Sequence, residues 1–75
     1  MVFELIRDLL ADSLVCDAEQ ITMQSDLQVD LELTGSDLAE VVETLAAELS
    51  FSWRRQDLED VTTVAELVRY IERRV

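Results

Sequence analysis

The sequence predicts an all-α fold: a four-helix bundle of three main helices plus one short helix, with a long first loop. Three observations carry this. Apolar residues recur at helical spacing in three separate stretches. Two of those stretches open on a Thr followed three residues later by an acid, the signature of a capped helix start. Only one segment alternates apolar and polar residues, and a lone strand has no partner for its backbone groups.

The first helix is expected over residues 2–14. Phe3, Ile6, Leu10 and Leu14 form its apolar stripe, widened by Leu5 and Leu9, while Glu4, Asp8 and Asp12 recur on the other side. Residues 16–25 are polar and irregular, with Ile21 as their anchor. Residues 27–33, Leu-Gln-Val-Asp-Leu-Glu-Leu, form the alternating segment. It is read as an extended stretch of loop that dips Leu27, Leu31 and Leu33 against helices. The first connection is then roughly 20 residues long, which for a compact chain implies a functional loop or one held by its own side chains.

Thr34 and Asp37 fit a capping box, and the helix they open runs to about Leu49. Leu38, Val41, Val42, Leu45 and Leu49 are its core stripe. Residues 50–55 break the pattern, and Trp53 is expected to cover the core there. A short helical turn is expected around residues 56–60 with Leu58 inward, and Arg54 and Arg55 either pair with Asp57 and Glu59, the preferred reading, or present a local basic spot. The last helix starts at Thr63, where Thr63 and Glu66 make a second capping box. Val64, Leu67, Val68 and Ile71 face the core, and Arg69, Arg73 and Arg74 sit toward the end, where cations suit the helix dipole.

Composition excludes much chemistry. The chain has 75 residues, enough for one domain over 1–75. It has one Cys, one Gly, no His and no Pro. Zinc sites of the Cys/His kind lack ligands, and a Ser-His-Asp or Cys-His nucleophile lacks its imidazole. A phosphate-cradling Gly loop needs more glycine than this. No acid–base set suited to neutral pH is visible, so no catalytic residue and no enzyme activity are expected. Asp26, Asp30 and Glu32 lack the spacing of a calcium loop, and no metal site is expected. Cys16, with no His or Lys to activate it, reads as a small loop or core residue. The lone thiol and the absence of a basic leader before an apolar stretch point to the cytoplasm. No run of about 18 apolar residues is present, so no membrane span is expected.

Seventeen acids face six arginines, for a net charge of −11. Residues 1–53 hold twelve of the acids and one arginine, while residues 54–75 are neutral. An acidic face disfavours nucleic acid. It reads either as a repulsive, solubilising surface or as a docking face for a basic partner.

Three stretches go further. Phe3-Glu4-Leu5-Ile6-Arg7-Asp8, then Asp17-Ala18-Glu19-Gln20-Ile21-Thr22 with Ser25-Asp26-Leu27, then Thr63 to Glu72, resemble the acyl carrier protein family in order and at the expected spacing. The resemblance covers essentially the whole chain. It implies a four-helix carrier bundle that holds acyl groups as thioesters on a 4′-phosphopantetheine arm, in fatty-acid or related synthesis. It also implies partners: a phosphopantetheinyl transferase and acyl-transferring or condensing enzymes with basic docking patches. A monomer is expected.

The family attaches its arm to the serine of an Asp-Ser-Leu motif at the second main helix. Aligned on Asp30-Leu31 and on Leu38 to Val42, this chain has Thr34 at the aspartate, Gly35 at the serine and Ser36 at the leucine. A glycine cannot be modified. Three readings stand: Ser36 has taken over the attachment, Gly35 marks an arm-less carrier-like interaction module, or Gly35 replaces a serine to keep the protein unmodified. For Ser36 the competing structural role is that of a helix cap. In the family, acids along the second helix dock partners. Asp37 and Glu40 match such positions; Glu43 stands where an apolar residue is usual, and Ala46 and Ala47 where acids are usual. Asp37, Glu40 and Glu43 are the expected partner-binding residues.

Overall fold

A computed structural model describes residues 2–75. Three α-helices, α1 (Val2–Leu14), α2 (Gly35–Leu49) and α3 (Val64–Glu72), are joined by a long loop and a short one. The short helix expected around 56–60 is a 3₁₀ segment, Arg55–Asp60. A second 3₁₀ turn, Ala18–Gln20, lies inside the long loop.

Each helix buries the centre of the stripe expected of it, with Phe3 and Leu14 of α1 only half-buried. Ile6 and Leu10 of α1, Val42 and Leu45 of α2, and Val64, Leu67 and Ile71 of α3 are fully enclosed. They meet in one core cluster with Ile21, Leu27, Leu33, Leu58 and Val61. Full burial of such a side chain stabilises by about 1.5–3 kcal/mol, so this cluster supplies most of what a chain without disulfides has to hold it. Trp53 is half-buried against the core, as expected, and Leu31 and Leu49 are half-buried rather than enclosed.

The long loop is ordered by its own polar groups. Ile21 is buried at the end of the 3₁₀ turn, where its N–H bonds the Ala18 carbonyl at 3.0 Å. The Asp26 carboxylate accepts from the N–H groups of Gln28 and Val29 at 2.9 and 2.8 Å, and Asp30 accepts from the Asp26 N–H at 2.8 Å. The acids of this loop therefore close a turn. The alternating segment 27–33 is no strand: the isolated antiparallel bridge of this loop, between Asp26 and Thr63, lies just before it.

That bridge ties the loop to the start of α3. The Val64 N–H bonds the Ser25 carbonyl at 3.0 Å, and the Ala65 N–H bonds the Met23 carbonyl at 2.9 Å. The Glu66 N–H bonds the Thr63 hydroxyl at 3.2 Å. The second capping box is only half made. The Glu66 carboxylate accepts from the hydroxyls of Thr62 at 2.6 Å and Thr63 at 3.3 Å instead of reaching back to the Thr63 N–H. The shortest bond of the carboxylate is to Thr62. Its hydroxyl, first among the causes, holds the Glu66 carboxyl below the ordinary value of 4.5.

The expected pairing of Arg54 and Arg55 with Asp57 and Glu59 does not form. The Asp57 carboxylate instead pairs with Arg74 at 3.0 Å and accepts from the Tyr70 hydroxyl at 2.9 Å. The 3₁₀ segment turns Asp57 toward α3, out of reach of its neighbours' guanidinium groups. Burial, and then the bond to Asp57, raise Tyr70 above its ordinary value of 10.0, against an opposing effect of Arg74.

Candidate carrier site

The start of α2 is built by Thr34. Its hydroxyl accepts from the Asp37 N–H at 3.1 Å, and the Asp37 carboxylate accepts from the Thr34 N–H at 3.1 Å. The Leu38 N–H bonds the Thr34 carbonyl at 3.0 Å. This is the expected capping box. It uses two of the four donors that a helix start leaves free. The other two, the N–H groups of Gly35 and Ser36, have no acceptor among the described residues. The contrast with α3 is direct, since loop carbonyls there take the corresponding pair.

Because Thr34 is the cap, Ser36 is not. Ser36 is exposed in the first turn, and its hydroxyl makes no hydrogen bond among the described residues. Gly35 is the first helical residue and has a negative φ. A Cβ built on it would meet nothing within 4 Å. The glycine is therefore not demanded by the backbone or by packing, and a serine there has both the conformation and the room.

Successive helical residues are about 100° apart, which places Ser36, Glu40, Glu43 and Ala47 on one line of α2, all exposed. This line lies opposite the buried stripe of Leu38, Val41, Val42 and Leu45. Asp37 is exposed beside it, with its carboxylate engaged in the cap. Ala46 is half-buried and Ala47 exposed, so neither adds charge to the face.

Gly35 lies on another side of the helix, at the mouth of a groove of about 550 Å³. Leu27, Leu33, Leu38, Leu58 and Val61 line its floor, with Gln28, Arg55, Gln56 and Glu59 also lining it. Arg55 is absent from any ion pair among the described residues. Trp53 does not border this groove. No segment of the sequence signals the groove, because its floor comes from the long loop, α2 and the 3₁₀ segment together. Elsewhere, no group of three or more metal-ligating side chains converges among the described residues. Cys16 is half-buried beside acids at the end of α1.

The sequence profile described as "Phosphopantetheine attachment site" matches residues 4–71. This chain belongs to that family. The carrier is 35% identical over 72 residues to the acyl carrier protein of Clostridium acetobutylicum, covering 96% of this chain and 94% of that one. It is 37% identical over 67 residues to the acyl carrier protein of Saccharopolyspora erythraea, covering 89% and 70%. The acyl carrier protein of Thermotoga maritima is 28% identical over 74 residues, covering 99% and 91%.

The family's cofactor is 4′-phosphopantetheine, and the carrier's α2 start fits its phosphodiester. Two free N–H groups at the positive end of a helix suit a phosphate, and the space at Gly35 is open. The covalent link is the point of difference. The residue aligned with the family's serine offers no oxygen, and the nearest free hydroxyl is that of Ser36. No described helix is long and apolar enough to cross a membrane.

Proposed function

We propose that this chain is a non-catalytic acyl carrier of fatty-acid or related synthesis, one domain over 1–75 and monomeric in the cytoplasm, with its arm on Ser36. One observation carries the assignment. Thr34 fills the capping role, which leaves the Ser36 hydroxyl exposed and without a partner beside two free backbone donors.

In this reading each residue has a plain task. The N–H groups of Gly35 and Ser36 hold the phosphodiester oxygens, and the helix dipole favours the negative charge. Glu40 and Glu43, on the same line as Ser36, meet the basic patch of a transferase or condensing enzyme, and Asp37 stands beside them. Docking on that line brings the partner's site to the hydroxyl itself. The arm supplies a thiol that carries the acyl group as a thioester. The groove at Gly35, with its leucine floor, suits the apolar part of such a cargo.

Gly35 supports a second reading, an arm-less module that binds partners through α2. One experiment separates the two. The protein is incubated with coenzyme A and a phosphopantetheinyl transferase, and intact mass is measured for the wild type, Ser36→Ala and Gly35→Ser. Attachment at Ser36 requires one added phosphopantetheinyl group on the wild type and none on Ser36→Ala. A wild type that stays unmodified while Gly35→Ser is modified sinks attachment at Ser36 and supports the arm-less module. That module further requires partner binding that survives Ser36→Ala.

A further inference from the structure

The groove at Gly35 has one wall of unusual make. The 3₁₀ segment Arg55–Asp60 is six residues long, while 3₁₀ runs beyond three or four residues are uncommon because their hydrogen bonds are poorly aligned. Leu58 is its only buried residue. On its groove side the segment places Arg55, Gln56, Leu58 and Glu59. Asp57 turns toward the end of α3, where three donors converge on one oxygen. The Tyr70 hydroxyl donates at 2.9 Å, Arg74 at 3.0 Å and the Arg54 N–H at 3.3 Å. Arg74 also donates to the Ser52 carbonyl at 3.3 Å and stacks over the Tyr70 ring, its guanidinium carbon 4.4 Å from the centroid. One guanidinium thus holds the connection before the segment, the segment itself and the helix after it.

We infer that Arg74 and Tyr70, acting through Asp57, are positioning residues that fix the far wall of the groove and so set its fit to an apolar chain. Three features support this. The wall is a weak element with a single apolar anchor. The clamp grips it on the side away from the groove. The clamp donors come from α3 and the turn that follows it, so the grip couples that stretch to the groove. Asp57 and Arg74 are each only about a third exposed or less, so solvent screens the pair incompletely. The function of the wall rests on the proposed use of the groove, but its fixation by the clamp does not.

The test compares the wild type with Tyr70→Phe, which removes one hydroxyl, and with Arg74→Ala. Amide exchange is followed at residues 55–61 and, as a reference for global stability, at Ile6, Leu10 and Leu45. Binding of the neutral apolar fluorophore N-phenyl-1-naphthylamine is measured in parallel. We expect exchange at 55–61 to speed up several-fold in both variants, with the reference amides nearly unchanged, and fluorophore affinity to fall about threefold or more. Exchange at 55–61 that stays at the wild-type rate, or that rises only in step with the reference amides, overturns the inference. Local loosening with unchanged fluorophore affinity also overturns it, because the wall would then not set the fit. A wild type that binds no fluorophore while 55–61 loosens in the variants sinks the proposed use of the groove and leaves the wall's fixation standing.

Discussion

Glu66 shows what one side chain does at the residue scale. It stands in the first turn of α3, where a negative charge is favoured by the helix dipole, and it accepts hydroxyl bonds from Thr62 and Thr63. Both effects favour its charged form, and the bonds from Thr62 first and then Thr63 hold its titration below 4.5 against the opposing effect of desolvation. A carboxyl whose folded value is depressed adds stability above its unfolded value. That stability is lost as pH falls through the folded one. Glu66→Gln should therefore melt slightly below the wild type at neutral pH. The gap should be constant down to about pH 4.5 and close as pH falls further. Thermal melts of both proteins from pH 7 to pH 2 check this, and a gap that persists unchanged at pH 2 refutes it. Ser36 is the contrasting case. Its neighbour Thr34 has taken the capping task, so nothing in the fold requires a serine at position 36.

At the scale of elements, the helices were legible because periodicity and the Thr-x-x-acid starts act locally. The rejection of a strand over 27–33 was legible too, since the sequence offers no second alternating segment to pair with it. So were the ends of α1 and α2, at Leu14 and Leu49, but not the means by which the helices stop. The usual signal is glycine, and this chain stops α1 and α2 without it. The Cys16 N–H bonds the Ala11 carbonyl at 3.1 Å and the Phe51 N–H bonds the Ala46 carbonyl at 3.2 Å. Val15 and Ser50, between, are forced to φ 53° and 57°. The clamp on Asp57 was equally hidden, because Arg74 lies 17 residues away and local charge pattern favoured Arg54 and Arg55. So were the groove and the free N–H pair of α2, which depend on how the loop packs. The strained stops make a stability test. A non-glycine residue in the left-handed region costs roughly 1–2 kcal/mol, while glycine's extra chain entropy costs about 0.5–1 kcal/mol. Both residues are exposed, Val15 at 90%, so little packing is lost. Val15→Gly and Ser50→Gly should each stabilise by about 0.5–1 kcal/mol. Urea unfolding at fixed m reads the gain, and a lower midpoint in either variant contradicts it.

At the scale of the whole molecule, charge and fold work against each other. The net charge is −11, and the folded chain fits within 28 × 23 × 18 Å. Among the described residues only Asp8 and Asp57 pair with arginine. The remaining acids crowd mostly on residues 1–53, which include both α1 and α2. Unfolding moves these charges apart, so their repulsion favours the unfolded chain. In the proposed function, a basic partner bound on α2 relieves the same crowding. Screening is the lever. The screening length is about 30 Å at 0.01 M salt, longer than the molecule, and about 3 Å at 1 M, shorter than the spacing of neighbouring helices. Added NaCl should therefore raise the melting temperature, steeply at first and then flattening. Each kcal/mol of relieved repulsion is worth roughly 4–8 °C in a chain of this size. Neutralising the α2 acids by Glu40→Gln, Glu43→Gln and Glu48→Gln together should raise the melting temperature at low salt and shrink the salt response. Chloride salts of sodium and potassium should act alike, since screening depends on ionic strength and not on a site. A melting temperature that ignores salt, or a triple variant as salt-sensitive as the wild type, would mean that the acidic face is spaced widely enough to cost the fold nothing.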